Sequence, residues 1–319
     1  MLSRRDFLKR CRDISVMAFG ADIFGADIAE GFMKIAASNR PLVSFIQGQS
    51  CTGCSISLTY GNETNFIDFI MKLIRLQVHP NLSFSQGESY LKMLDSVSEK
   101  GGHVLVVEGS IPVKMKKACM LGEHTLYDEL KKHMEKASAI IACGSCSCFG
   151  GIPASGMNET GAVSVEKYMS MAGIKKPVVK IPGCPIQPDR FMGTVAYLIA
   201  TGKLPAMKDG IPTQYFGELI HNNCTRFQYF SQDIYLDDFN KDKHACLLKK
   251  GCRGTITKAD CPTRRWNGSV NVCVESNAPC IGCVNEKWPF TSDIYIEAKN
   301  VEDVPWSDFK KYSEKRGRK

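Results

Sequence analysis

Eleven of the chain's 15 cysteines, together with His221, fall into three sets of four with the spacing of metal ligands. Cys51-x2-Cys54 opens the first set, which Cys146 and Cys184 complete from two further Gly-rich or Pro-rich loops. The second set is His221-x2-Cys224 followed by Cys246-x5-Cys252. The third is Cys261, Cys273 and Cys280-x2-Cys283. Thiolate sulfur is the usual holder of cluster iron, and a four-iron cube takes four protein ligands. Twelve ligands in three fours therefore point to three cubes, and several cubes in one chain point to electrons moving in single file. Two other chemistries stay open on spacing alone. Four cysteines, or three with a histidine, are also ordinary structural zinc sets. Disulfides are the third possibility, although disulfide scaffolds are typically short and 15 is an odd number. The crowding of Gly and Pro around the cysteines, and the spread of one set over most of the N-terminal half, fit clusters better than zinc.

The elements that must position these residues follow a repeating pattern. Pro41 to Gln47, Gly102 to Glu108, Ala137 to Ala142 and Pro177 to Ile181 read as buried strands. Asn65 to Gln77, Leu126 to Lys136, Val163 to Ala172 and Arg190 to Thr201 read as helices. Apolar strands alternating with helices predict an open parallel α/β sheet. The first, third and fourth strands run directly into the loops of Cys51 and Cys54, of Cys146 and of Cys184. Sites in such sheets lie outside the carboxyl ends of the strands, so these cysteines converge although far apart in sequence. From Pro212 onward the pattern gives way to Gly, Pro, Cys and Asn with short apolar runs. That half reads as a mostly irregular domain organised by metal more than by regular elements.

Length and composition bound the rest. At 319 residues and 44% hydrophobic content the chain can bury a real core in about two domains. The net charge of +8 is modest, and much of it sits in the last ten residues. That run reads as a solvated tail. No basic stripe interleaved with aromatics argues for nucleic acid. No stretch of 18 apolar residues exists, so no integral membrane anchor is expected. At the N-terminus, Ser3-Arg4-Arg5-Asp6-Phe7-Leu8-Lys9 matches the twin-arginine export signal, a receptor-read address. It suits a protein that is loaded with metal in the cytoplasm and crosses the membrane folded. The apolar segment behind it is weakened by Asp22, Asp27 and Glu30, and cleavage is placed near Ala36 to Ser38. The expected organisation is a signal peptide over 1–38, a first domain over 39–210 and a second over 211–319.

Six motifs then identify a family. Cys51-Thr-Gly-Cys54-Ser, Glu108-Gly-Ser-Ile-Pro112, Gly144-Ser-Cys146, Pro182-Gly-Cys184-Pro185, His221-Asn-Asn-Cys224 and Cys280-Ile-Gly-Cys283 occur in one order behind the export signal. Over essentially its full length the chain resembles the small, electron-transfer subunit of periplasmic nickel–iron hydrogenases. The resemblance implies a flavodoxin-like N-terminal domain holding the proximal cluster and a C-terminal domain holding the medial and distal clusters. It implies an obligate heterodimer whose large subunit bears the Ni–Fe centre, and the reaction it implies interconverts H2 with protons and electrons. Consistently, this chain lacks the paired N- and C-terminal CxxC motifs that bind nickel.

Carried over by that resemblance, Cys51, Cys54, Cys146 and Cys184 would hold a proximal [4Fe–4S] cluster. His221, Cys224, Cys246 and Cys252 would hold the distal one, near the surface. Most relatives have Pro where this chain has Cys273, and hold a medial [3Fe–4S] cluster on three cysteines. Here Cys273 can join Cys261, Cys280 and Cys283 to make a third [4Fe–4S] site, with [3Fe–4S] as the alternative. The selenium-containing branch shares this feature. The oxygen-tolerant relatives carry two further cysteines at the proximal cluster; Gly53 and Gly151 stand at those positions here. A multihaem cytochrome c is the acceptor the resemblance suggests. Glu108 ends a strand near the proximal site, where a proton path, cluster tuning or plain loop hydrogen bonding are the options. Cys119, Cys143 and Cys148 are left without an assigned role; Cys143 and Cys148 flank a ligand, so a role at the cluster is one option, and a small buried hydrophobe is the reading preferred.

Overall fold

The computed structural model describes residues 40–240, 244–289 and 294–305, with Asp6 and Lys9 alone before them. The rest of the export segment, its cleavage site, Cys11 and the basic C-terminal run lie outside the described residues. Contacts divide the chain into two compact units, the first ending at Gln214 and the second beginning at Tyr215.

The first unit is built on five parallel strands: β1 (Leu42–Gln47), β2 (Arg75–Val78), β3 (Val104–Glu108), β4 (Ala139–Cys143) and β5 (Val178–Ile181). Their order across the sheet is β2-β1-β3-β4-β5, all parallel. That is the flavodoxin-like doubly wound order. Alternate side chains feed two cores. Val43, Phe45, Val106, Ile141 and Val179 pack with Phe191, Met192 and Val195 of α6 (Pro188–Thr201). Ile46, Leu105, Val107, Ile140 and Ala142 pack on the other face. There they meet Leu94 and Val97 of α2 (Gly87–Lys100), Leu130 and Met134 of α3 (Leu126–Lys136), and Tyr168 and Met169 of α5 (Val165–Ala172). A sheet covered on both faces explains why its strands are near-continuous apolar runs.

The helix starts are set by side-chain caps. Thr125 accepts from the Asp128 amide ahead of α3, Ser164 from Lys167 ahead of α5, and Gln187 from Arg190 ahead of α6. Such caps satisfy amides that have no partner inside the helix.

Two elements differ from the sequence pattern. The helix predicted over Asn65 to Gln77 stops early: Phe66–Asp68 is α-helical, Phe69–Leu73 is a π-turn, and Arg75–Val78 is the edge strand β2. Phe66, Phe69 and Leu73 carry a helical spacing that hides the change to alternation at Leu76 and Val78, and β2 is only four residues long. Helix α2 went unpredicted; its apolar stripe is thin, with only Leu94 and Val97 as buried apolar residues.

Among its described residues the second unit holds short helical turns, including α7 (Phe227–Ser231) and α8 (Cys261–Arg264), joined by isolated bridges such as Leu219 with Lys258 and Tyr235 with Cys246. A small core of Phe230, Cys246, Leu248, Val301 and Val304 supports it. The expectation of a mostly irregular domain holds.

Candidate metal centres

In the first unit the register puts Gln47, Glu108, Cys143 and Ile181 in one row across the carboxyl edge of the sheet. Three loops leave that row, and each brings cysteine. The loop after β1 brings Cys51 and leads into α1 (Gly53–Ser57), which carries Cys54. The turn after β4 starts α4 (Gly144–Phe149), which carries Cys146. The loop after β5 brings Cys184.

Hydrogen bonds lock the loops to one another. The Ser145 amide donates to Gly183 O at 2.8 Å, and the Gly183 amide donates back to Ser145 Oγ at 2.9 Å. Ser57 Oγ donates to Ile186 O at 2.8 Å, and Ser147 Oγ to Val107 O at 2.7 Å. Gly144 sits at φ +87°, and a Cβ there would strike Cys54 Sγ, so only glycine lets the two loops close together.

Glu108, 2% exposed, is the hub of this edge. Its Oε1 accepts from Ser50 Oγ at 2.9 Å and from the Cys54 amide at 3.2 Å. Its Oε2 accepts from the Ser55 amide at 3.2 Å and from Ser55 Oγ. Ser55 Oγ also meets His79 Nε2 at 3.1 Å. His79 Nδ1 accepts from the Asn81 amide, which places the ring proton on Nε2. Glu108 therefore holds the Cys51–Cys54 loop, and a bonded line of Ser55 and His79 leads away from it.

The thiols of this row face one another. Burial pushes Cys146 up to about 12, and Cys184, Cys54 and Cys51 push it the same way. Cys143, entirely buried, lies against Cys54, and burial first and then Cys54 hold its thiol well above the ordinary value. The sequence offered a cluster role for Cys143 only as the lesser option and did not point to Cys54; the available signal was its place at the end of β4, in register with Glu108. Cys148 bonds Ala142 O at 3.3 Å and is buried, and Cys119 packs half-buried against the same core, so both behave as the expected hydrophobes.

In the second unit the remaining residues form two adjoining groups. Burial pushes Cys246 up to about 12, with Cys252 and Cys224 adding to it. Burial pushes Cys252 up to about 11, with Cys224 and then Cys273 adding. Cys280 is raised well above its ordinary value by burial, then by Cys252, Cys283 and Cys261. The amide of Cys280 donates to Cys252 Sγ, and the Arg253 amide donates to Cys280 O at 2.6 Å. The two groups are thus tied directly. His221 is buried with its ring 4.4 Å from that of Phe230 and 5.2 Å from that of Phe227. Burial holds it down at about 4, a neutral imidazole, and its Nε2 has no hydrogen-bond partner. His244, also near Cys246 in sequence, is exposed.

Two features of these groups fit iron. Among the described residues no disulfide joins any of the 14 cysteines, so disulfides do not account for them. Crowded, buried thiols keep their protons unless cations arrive, and a coordinating metal supplies that charge. In addition, a backbone amide two residues on donates to sulfur at Cys51, Cys224, Cys246, Cys252 and Cys280. Amide bonds to sulfur are among the means by which a protein tunes an iron–sulfur cluster.

A flavodoxin-like unit and an irregular cysteine-rich unit with converging thiols define an electron-transfer protein of the iron–sulfur class, and comparison with known proteins agrees. Residues 216–296 match the C-terminal family of the NiFe/NiFeSe hydrogenase small subunit, and residues 51–198 match the family of the 20 Kd subunit of NADH ubiquinone oxidoreductase. The chain is 35% identical to the periplasmic [NiFeSe] hydrogenase small subunit of Desulfomicrobium baculatum, over 90% of this chain and 96% of that one. It is 36% identical to the hydrogenase-2 small chain of Escherichia coli K12, over 95% and 81%. The structure of the recombinant [NiFeSe] hydrogenase of Desulfovibrio vulgaris Hildenborough superposes with a TM-score of 0.76 at 39% identity, over 82% of this chain and 99% of that one. The chain belongs to the small-subunit family of NiFe/NiFeSe hydrogenases. Its work is electron transfer within a hydrogenase.

Proposed function

We propose that the first unit holds a proximal [4Fe–4S] cluster on Cys51, Cys54, Cys146 and Cys184. The second unit holds a distal cluster on His221, Cys224, Cys246 and Cys252, and a medial one on Cys261, Cys273, Cys280 and Cys283. When bound, the clusters take up and release single electrons, linking the Ni–Fe centre of a large subunit to an external acceptor. The observation that carries this is the convergence of the thiols, with amides donating to their sulfurs and an unpartnered His221 Nε2 beside them. The Cys280 amide bond to Cys252 Sγ supports side-by-side medial and distal sites.

Cys143, which keeps its proton beside Cys54, bears on this chemistry as a donor of its S–H. A hydrogen bond to a cluster sulfur stabilises the reduced, more negative state and raises the potential. Cys143→Val is expected to lower the proximal potential while leaving the other two clusters unchanged. A redox titration followed by electron paramagnetic resonance checks it; an unchanged proximal potential would reduce Cys143 to packing.

Near the cysteine loops the first unit exposes Ile56 (56%) and Ile152 (51%), with Tyr60, Met71 and Met157 also open. Apolar side chains set beside a metal site suit a covering subunit. Obligate interfaces commonly bury about 2,000 Å² or more. Co-expression with affinity capture of this chain tests the pairing. A nickel-containing chain is expected to copurify and to confer H2-dependent dye reduction. A soluble, fully metallated chain recovered alone would overturn the obligate pairing.

No helix among the described residues is long and apolar enough to cross a membrane. The acceptor that the family resemblance suggests is a multihaem cytochrome c. The D. baculatum relative is named periplasmic, and the Arg4-Arg5 pair supplies a route for this chain to the same compartment. Replacing both arginines with lysine is expected to leave the protein in the cytoplasm. Undiminished periplasmic activity in fractionated cells would remove the twin-arginine assignment.

Gly151 argues for an ordinary proximal cube. At φ +56° its Cβ would lie 2.7 Å from both Cys146 Cα and Sγ, and at Gly53 it would lie 3.1 Å from Cys51 Sγ. Neither position can take the additional cysteine of the oxygen-tolerant relatives without moving a ligand.

A further inference from the structure

We propose that Asp95, Glu129 and His133 form a binding site for one divalent transition-metal ion, Zn2+ or a close equivalent, bridging helices α2 and α3. None of the three belongs to the cysteine sets. One ligand atom from each lies within 4.8 Å of the others. The second, independent observation is the state of His133. Its side chain is 0% exposed, and its Nε2 has no hydrogen-bond partner. That nitrogen is 3.8 Å from Glu129 Oε2, too far for a hydrogen bond but a distance that an ion can span. The other ring nitrogen, Nδ1, is hydrogen-bonded to Ser98 Oγ on α2, which fixes the plane of the ring. In the tautomer in which Nδ1–H donates to the serine, Nε2 keeps its lone pair on the side of Glu129 Oε2, 3.8 Å away. Bonding of the far nitrogen is the usual way a protein orients a histidine ligand.

The donor set selects the ion. One imidazole nitrogen with two carboxylate oxygens suits Zn2+ and its first-row neighbours; Ca2+ and Mg2+ prefer all-oxygen sites. Water completes the coordination, because Asp95 and Glu129 are partly exposed while His133 is not. Lys132 is a built-in competitor. Its ammonium lies 2.5 Å from Asp95 Oδ1 and 3.9 Å from Glu129 Oε2, and must swing away for the metal to enter. The bound ion would staple α2 to α3 over the core formed by Leu94, Val97, Leu130 and Met134.

The test uses the intact, untagged hydrogenase dialysed against micromolar Zn2+, with metal content and melting temperature measured. Wild type is expected to take up one zinc more than Asp95→Asn/Glu129→Gln, and only wild type should melt higher with zinc. The double variant replaces partly exposed carboxylates with amides of the same shape, so folding is retained where His133→Ala would open the core. Glu129→Gln alone should weaken binding by about tenfold or more, and Lys132→Met should tighten it. Equal zinc uptake by wild type and the double variant, or no response to Lys132→Met, would overturn the site.

Discussion

Replacing Cys273 with proline is expected to turn the medial cluster from four irons to three. Cys273 is the residue on which the proposed fourth medial ligand rests. It is the exposed member, and Cys261 is close enough to act on its thiol. The Ala278 amide donates to Cys273 O at 2.9 Å, a contact that proline retains. Losing the thiolate leaves one iron without a protein ligand, that iron departs with it, and the medial potential rises because the cluster type changes. The proximal and distal clusters should be untouched. Electron paramagnetic resonance of the oxidised variant reads the result as a new three-iron signal of about one spin per heterodimer, absent from wild type. A stoichiometric three-iron signal in undamaged wild type would show that Cys273 is a bystander. A four-iron medial cube would also flatten the gradient of potential along the chain, which would suit an enzyme that runs in both directions.

The second large effect is on acid stability. His79, His103 and His133 are 0–1% exposed, and burial is the first cause holding each down at about 4 rather than 6.5. An unfolded chain protonates these rings near pH 6.5, whereas the folded chain refuses the proton until about pH 4. Their effect on stability is therefore flat above pH 6.5. Stability falls as pH drops through the window from 6.5 to 4, and flattens again below it. Each shift corresponds to about 3 kcal/mol at most. His103 isolates the effect, because neither of its ring nitrogens has a hydrogen-bond partner. His103→Leu removes a buried unsatisfied group, so it should be near neutral or stabilising at pH 7. At pH 4.5 it should be more stable than wild type by about 2 to 3 kcal/mol. Unfolding of the two proteins measured in parallel at both pH values checks this; a difference that does not grow on acidification would contradict it.

The fold was legible where one period ruled a whole segment. The strands at Leu42–Gln47, Val104–Glu108, Ala139–Cys143 and Val178–Ile181 are buried on both faces and so read as plain apolar runs. β2 was not legible, because four residues at a sheet edge are too few to overrule the helical spacing of Phe66, Phe69 and Leu73 before them. Helix α2 was hidden by its surface position, with few buried positions to mark a stripe. Of the candidate site, the cysteines were visible because chemistry restricts their type and spacing. What surrounds them was not. Glu108 takes four hydrogen bonds from Ser50, Cys54 and Ser55, residues more than fifty positions away. Cys143 meets Cys54 only through the register of β4, and the His221 ring is held by Phe230 through packing that no spacing encodes.

The central claim is that twelve residues of this chain hold three four-iron cubes. Iron, acid-labile sulfide and zinc in the purified wild-type heterodimer measure it directly. Beyond the metals of the partner's centre, about 12 irons and about 12 sulfides per heterodimer are expected, three cubes of four. About three zinc ions in their place, with no labile sulfide, would contradict the account outright.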